Sequence, residues 1–360
     1  GYPGRTNRWL PAGGIDQNVK FAYPAWVEAS KKAMDVMKKY MDKDNGVRLN
    51  YASKYAGVAN YWKNRQGMID ALTKFETANS KAKNEAKFDK WTKKKKNAKY
   101  SGVIKDINDY YALTNDKSRH DNYLRMVFRG SKLATISRSL GRVLAQYAED
   151  RSNLDLVYID VDDFIATSDL NLEMEMLKEM LTLYVGKANY TLPETIDEYS
   201  NELNSSLDLY LESILELSIF TSEKRLNAFI TVPTKELLEN DPLMVLSNKL
   251  IAHYFSSDTK IDEAKDKFDR AYRMLVDGMR ESGLSPVIYP DANSTLRLTY
   301  GKVSPLPNDP RNDAKENYYT TLKGTVKKFV EDDPEFDLPQ GLIDLYESKD
   351  FGPYADEDGY

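Results

Sequence analysis

The sequence predicts a mainly α protein: a large helical block flanked by short strand-like pieces. Apolar residues recur at helical spacing over about residues 24–281, and the spacing changes to strand alternation from Thr295 to Val303. A strand needs a neighbour to share its hydrogen bonds, and the sequence offers none nearby. The pattern is therefore typical of a helical domain inserted into a β domain, with only short flanking strands of that domain in this chain.

The amino-acid composition excludes some classes of function and disfavours others. The 360 residues are 41% hydrophobic and 30% charged, which is a globular balance, and the net charge of −5 disfavours a nucleic-acid partner. The absence of cysteine excludes disulfides and thiolate chemistry. The two histidines, His120 and His253, lie far apart in the sequence and form no zinc motif, so each is interpreted as a satisfied or surface residue. No apolar run approaches the roughly 20 residues that span a bilayer.

The first helix is expected to begin near Pro24, after a loop over residues 10–17 that contains Pro11, Gly13 and Gly14. It carries an apolar stripe and stops at Asn45-Gly46. A second helix is predicted over about residues 49–97. Its basic end is interpreted as a solvated helix tip. The alternative, a nucleic-acid-binding patch, is disfavoured by the net negative charge of the chain.

Further helical patterns follow along the chain. An apolar stripe starts at Val103, and longer helices are predicted over residues 121–150, 155–186 and 260–281. Within the same helical block, residues 196–220 alternate Leu with Asp, Glu and Ser. A proline-rich stretch after the alternating segment leads into a tail with two short helices and acidic turns.

One helical stretch, residues 51–64, carries the candidate binding residue. Val58, Tyr61 and Trp62 share a face, which is ordinary core packing. Asn60 is different, because its amide both donates and accepts hydrogen bonds and the adjoining surface is built from small residues, among them Gly57. Two interpretations stay open on this pattern: a surface asparagine, or an asparagine that faces a ligand.

The sequence lacks the short motifs that mark common catalytic and nucleotide-binding sites. The sequence contains no G-x-S-x-G nucleophile turn, no phosphate loop and no dinucleotide fingerprint. Carboxylate pairs occur at helical spacing throughout, so their spacing alone supports no general-acid assignment.

Five stretches together resemble one family: Gly1–Arg8, Lys54–Lys63, Asp291–Val303, Tyr318–Gly324 and Leu345–Asp356. They are similar, in order and over the whole chain, to motifs of the bacterial serine exopeptidases of the dipeptidyl-peptidase 7 and dipeptidyl-peptidase 11 type. The resemblance implies a chymotrypsin-like double β-barrel with a large helical cap domain inserted into it. It also implies a periplasmic, homodimeric parent enzyme that removes dipeptides from peptides with a free N-terminus and needs no metal or cofactor.

In family terms the chain begins after the catalytic His and Asp and stops before the G-N-S-G-S stretch with the nucleophilic Ser, so the segment alone is expected to be inactive. Residues 1–18 are assigned to the barrel, residues 19–284 to the helical cap, and residues 285–360 to a strand, a proline-rich loop and short helices that return to the barrel. Asn60 matches the family asparagine that helps to hold the substrate's α-amino group. The alternative is a free-standing helical binding or scaffold protein without catalytic activity.

Overall fold

The computed structural model describes residues 5–194, 196–197, 205–285, 289–296, 298, 300–306, 318–331, 333 and 336–355. The regular elements among these residues are helices, and the predicted mainly α class is confirmed. The α-helices are α1 (Ala12–Gln17), α2 (Tyr23–Met41), α3 (Asn45–Lys74), α4 (Thr77–Thr92), α5 (Val103–Gly130), α6 (Leu140–Glu149), α7 (Leu154–Thr167), α8 (Leu170–Lys187), α9 (Ser205–Leu217), α10 (Glu223–Thr231), α11 (Lys235–Glu239), α12 (Pro242–Tyr254), α13 (Thr259–Glu281), α14 (Leu322–Val326) and α15 (Gln340–Ser348).

The chain divides into two compact units, Asn7–Asp291 and a smaller one made of Gly1–Thr6 with Ala292–Tyr360. The larger unit holds two apolar cores. One is built from α2, α3, α5, α8 and the helices that follow, and the other joins α4 and α5 to α13. Helix α3 packs mainly on α2, and α2 in turn packs on α5 and α8. This arrangement presents one long side of α3 to the core and leaves the opposite side open.

The helical block begins earlier than the sequence predicts. Within the loop expected over residues 10–17, residues 12–17 form helix α1, which continues through a π-helical turn (Asn18–Ala22) into α2. Gly14 suits close packing here and not a turn, because a Cβ atom on it would lie 2.6 Å from the hydroxyl oxygen of Tyr111. Reading this glycine as a loop signal was therefore wrong.

Three of the predicted long helices are interrupted. The helix over 49–97 breaks at Glu76, which adopts a left-handed φ of 46°. The helix over 121–150 ends at Gly130, and the next residue, Ser131, uses its hydroxyl to accept from the Leu133 amide at 3.2 Å. Asp169 likewise caps α8 by accepting from the Leu172 amide at 2.8 Å, which divides the predicted 155–186 helix. At Ser131 and Asp169, local side-chain hydrogen bonds therefore override the apolar periodicity.

In the smaller unit, the described residues show one antiparallel bridge, Arg5 with Asn293, in place of the predicted strand. The described part of the predicted strand, residues 295–296, 298 and 300–303, has no strand conformation. Its apolar side chains are exposed, with Leu298 at 87% and Tyr300 at 95%. Without a neighbouring strand to pair with, alternation alone does not form a ladder. Residues 1–4, 297, 299 and 307–317, on which other parts of the sequence prediction fall, lie outside the described residues.

Candidate functional site

Helix α3 carries the predicted binding residue, and its two sides differ sharply. Asp44 caps the helix by accepting from the Val47 amide at 2.9 Å. Tyr51 and Val58 are buried in the larger core, and Trp62 packs against that core from its edge. The other side carries Ser53, Gly57, Asn60 and Asn64, all exposed and spaced at i, i+4, i+7 and i+11.

Asn60 lies on this open side. Among the described residues, no side chain or backbone group makes a hydrogen bond to its amide, so both its acceptor and its donors face solvent. The position suits contact with something outside this chain. The assignment of Asn60 to the substrate's α-amino group stays a prediction.

Gly57 precedes Asn60 by one turn, and its surroundings are empty. A Cβ atom built on Gly57 would meet nothing within 4 Å in the described structure. A glycine inside a 30-residue helix lowers helix stability, and packing within this chain offers no compensation for it. The glycine therefore leaves the α3 backbone open to a close approach from outside.

We expect Gly57→Ala to raise the free energy of unfolding of this chain by about 0.5–1 kcal/mol, because alanine favours the helix interior and has free space here. Gly14→Ala is the matched contrast, since its Cβ would clash with Tyr111 and is expected to cost about 1–3 kcal/mol. Urea unfolding of both variants measures the difference. Destabilisation by Gly57→Ala would contradict the structure, because it would show that a Cβ atom at residue 57 meets a neighbouring group.

An aromatic pair with an arginine flanks the open side of α3. The rings of Tyr61 and Trp26 lie 6.2 Å apart, and the guanidinium of Arg129 lies 5.2 Å and 5.5 Å from their respective centres. These are cation–π distances. The indole nitrogens of Trp26 and Trp62 are buried without a hydrogen-bond partner among the described residues. The packing role predicted for Tyr61 and Trp62 agrees with these contacts, although Tyr61 is still 45% exposed.

The buried side of α3 meets a charged residue that sequence reasoning missed. Glu173, in the first turn of α8, is fully buried, and its carboxylate accepts from the Tyr51 hydroxyl at 2.8 Å and from the Lys132 amide at 2.6 Å. The ammonium of Lys54 lies 3.5 Å from the same carboxylate and donates to the Gly130 carbonyl at 2.6 Å. Burial, together with Glu173, raises the pKa of Tyr51 well above its usual range, so its hydroxyl remains a donor.

The two histidines, distant in sequence, meet in the larger unit. The Nε2 atoms of His120 and His253 are 3.3 Å apart, and the Tyr184 hydroxyl lies 2.6 Å from His120 Nε2. His120 Nδ1 lies 3.1 Å from a carboxylate oxygen of Asp121. His120 is 2% exposed, so the interpretation of a satisfied histidine is confirmed for it. The described residues contain no group of three or more His, Cys, Asp or Glu side chains able to hold a metal ion.

None of the helices in the described part of the chain has the length and apolar character needed to cross a membrane.

Comparison with known proteins places the whole chain in one family. The Peptidase S46 family model matches residues 1–360. Dipeptidyl-peptidase 7 of Capnocytophaga gingivalis is 43% identical over 367 residues, which cover 100% of this chain and 51% of the relative. The Asp/Glu-specific dipeptidyl-peptidase of Flavobacterium psychrophilum is 31% identical and is matched over 50% of its length. The chain thus spans about half the length of the curated relatives it matches.

A solved structure shares the fold. The crystal structure of Porphyromonas endodontalis DPP11 in complex with the dipeptide Arg-Glu matches with a TM-score of 0.78 at 24% identity, covering 100% of this chain and 52% of that one. At this identity the likeness concerns the fold alone. The family match over the full chain, together with the resemblance of its motifs, shows that the chain belongs to the Peptidase S46 family.

Proposed function

We propose that this chain is the helical cap and substrate-positioning part of a serine-type dipeptidyl-peptidase that releases N-terminal dipeptides from peptides. The observation that carries the proposal is the family match over all 360 residues, with relatives named as dipeptidyl-peptidases. The exposed, unbonded Asn60 on the helix of the Lys54–Lys63 motif supports it from the structure.

Asn60 suits the recognition of an α-ammonium group. An ammonium needs acceptors on several sides, and an amide oxygen supplies one without adding a second charge that must be desolvated. If the substrate amine is held at a fixed distance from the nucleophile, the peptide bond after the second residue lies at the nucleophile and is the one that is cut. Gly57, one turn away, leaves room for the substrate chain to approach α3.

The proposal includes the domain arrangement and setting that the resemblance implies. Residues 19–284 form the cap, residues 1–18 and 285–360 belong to the barrel, and the Ser-His-Asp triad lies in parts of the parent outside this chain. The segment alone is then inactive and binds peptides weakly, since the barrel half of the site is absent from it. We further propose that the parent is a periplasmic homodimer.

The full-length protein is expected to cleave chromogenic dipeptidyl substrates that have a free N-terminus and to be at least about 100-fold slower on their N-acetylated forms. The reason is that acetylation removes the positive charge that the amine site recognises. Steady-state kinetics on matched substrate pairs measure the ratio. Equal rates on both forms would contradict the proposal, and peptide binding without any turnover would instead support the alternative of a helical binding protein.

A further inference from the structure

The contacts of Glu173 tie α3 to two other helices. Tyr51 and Lys54, one turn apart on α3, both reach this carboxylate, and Lys54 also bonds the last residue of α5 through the Gly130 carbonyl. From the α5 side, the Lys132 amide donates to the second carboxylate oxygen, and the Ser131 hydroxyl donates to the Glu173 backbone carbonyl at 3.0 Å. The Tyr51 hydroxyl additionally accepts from the Asp169 amide at 3.2 Å, just before α8 begins.

Such a network is costly as a source of stability alone. A carboxylate at 0% exposure has lost all its hydration, and its ion pair with Lys54, at 3.5 Å, is not a close one. Proteins in which apolar side chains of similar volume replace such a buried ion pair are often at least as stable. What the network supplies is geometry: two anchors one turn apart on α3 fix both its rotation and its position along its axis.

The rotation of α3 determines where Asn60 points. Asn60 lies six residues beyond Lys54, about 9 Å along the axis at about 1.5 Å per residue. A side-chain atom about 5–6 Å from the helix axis moves by about 1 Å when the helix turns by roughly 10°. A misplacement of about 1 Å is enough to cost a substrate-binding group much of its effect.

We propose that Glu173, acting through Tyr51 and Lys54, is a positioning residue that holds α3 in the rotation at which Asn60 meets the substrate's α-amino group. This inference rests on the proposed function. It gives the first residue of the Lys54–Lys63 motif a role, because that motif then contains both the anchor and the substrate contact. Glu173 itself is fully buried and lies far from Asn60 in sequence.

The test uses the full-length enzyme with Glu173→Gln and, as a milder variant, Tyr51→Phe. Glutamine keeps the shape but turns one acceptor into a donor, so it must face one of the donors Tyr51, Lys54 or the Lys132 amide with a donor of its own. Tyr51→Phe removes only the hydroxyl. We expect kcat/KM for dipeptidyl substrates with a free N-terminus to fall roughly 5- to 30-fold for Glu173→Gln and about 3- to 10-fold for Tyr51→Phe, mainly through KM.

A buried acid elsewhere provides the matched control. Asp241 is 4% exposed, caps α12 and accepts from the Ile219 amide at 2.8 Å, and its carboxylate makes no hydrogen bond to α3, α5 or α8 among the described residues. Asp241→Asn is expected to lower Tm as Glu173→Gln does, while kcat/KM stays within about twofold of wild type. An equal loss of kcat/KM in both variants would overturn the positioning role, because the kinetic effect would then follow general destabilisation.

A double-mutant cycle with Asn60→Ala separates this inference from the function it rests on. If Glu173 acts through Asn60, Glu173→Gln should change kcat/KM by less than about twofold once Asn60 is alanine. Fully additive losses would overturn the inference and leave the role of Asn60 intact. Wild-type kinetics for Asn60→Ala alone would overturn both the positioning role of Glu173 and the proposed role of Asn60. Wild-type kinetics for Tyr51→Phe and Glu173→Gln, with a lowered Tm, would overturn only the positioning role.

Discussion

Asn60→Ala in the full-length enzyme is expected to lower kcat/KM for dipeptidyl substrates with a free N-terminus by roughly 10- to 100-fold, with most of the change in KM. This is the range for losing one hydrogen bond to a charged group, about 1.5–3 kcal/mol. The side chain is exposed and has no hydrogen bond within the described chain, so removing it leaves no partner unpaired in the protein. Steady-state kinetics across a series of substrates measure the effect.

The neighbouring Asn64 gives the matched control for this experiment. It is exposed on the same side of α3, one turn further along, and Asn64→Ala changes the helix surface in the same chemical way. We expect Asn64→Ala to keep kcat/KM within about twofold of wild type. The residual activity on N-acetylated substrates should be unaffected by Asn60→Ala, since these substrates lack the ammonium. A loss that is the same for free and acetylated substrates would show that Asn60 does not recognise the amine.

The sequence predicted those parts of the fold that depend on local pattern. The apolar stripe of α2 and the outward position of Asn60 follow from helical periodicity, which neighbouring residues determine by themselves. Gly14 misled the prediction because its reason is a contact with Tyr111, a residue on another helix. Likewise Ser131 and Asp169 interrupt two predicted helices through hydrogen bonds that the apolar pattern does not encode.

The buried Glu173 and the histidine pair could not be predicted either, because each depends on contacts between residues that are distant in sequence. Glu173 looks like any other glutamate of a charged helix, and only the fold places it beneath Tyr51, which is 122 residues away. Lys54 begins the Lys54–Lys63 motif, and nothing in the sequence identifies Glu173 as its partner. His120 and His253 are separated by 133 residues, so no spacing rule brings them together.

We expect the histidine pair to make the stability of this chain sensitive to mild acid. A carboxylate of Asp121 faces His120 Nδ1, which assigns the N–H to that nitrogen and leaves Nε2 to accept from Tyr184. If both rings were protonated, two N–H groups would face each other across 3.3 Å. Burial lowers the pKa of His253, and His120 and Lys117 lower it further, against the opposing effects of a Thr191 backbone hydrogen bond and Asp121.

The direction of the pH effect follows from that depressed pKa. Because the pKa of His253 is lower in the folded chain than in the unfolded chain, the unfolded chain takes up the proton first as the pH falls. The stabilising contribution is therefore complete above about pH 6.5 and is lost as the pH falls through the folded-state pKa. We expect the free energy of unfolding to be lower at pH 5 than at pH 7.5, by at most about 1.4 kcal/mol for each unit by which folding lowers this pKa.

Two substitutions separate the causes of this loss. Urea unfolding of His253→Gln at both pH values should lack the acid-dependent loss, since the titrating group is gone. His120→Gln should retain the part that comes from burial of His253 and lose the part that comes from the electrostatic effect of His120 on His253. His253 is only partly buried, so water reaches its ring and protonation does not require unfolding. If wild type and His253→Gln lose the same free energy on acidification, carboxyl groups and not the histidine pair control the acid response of this fold.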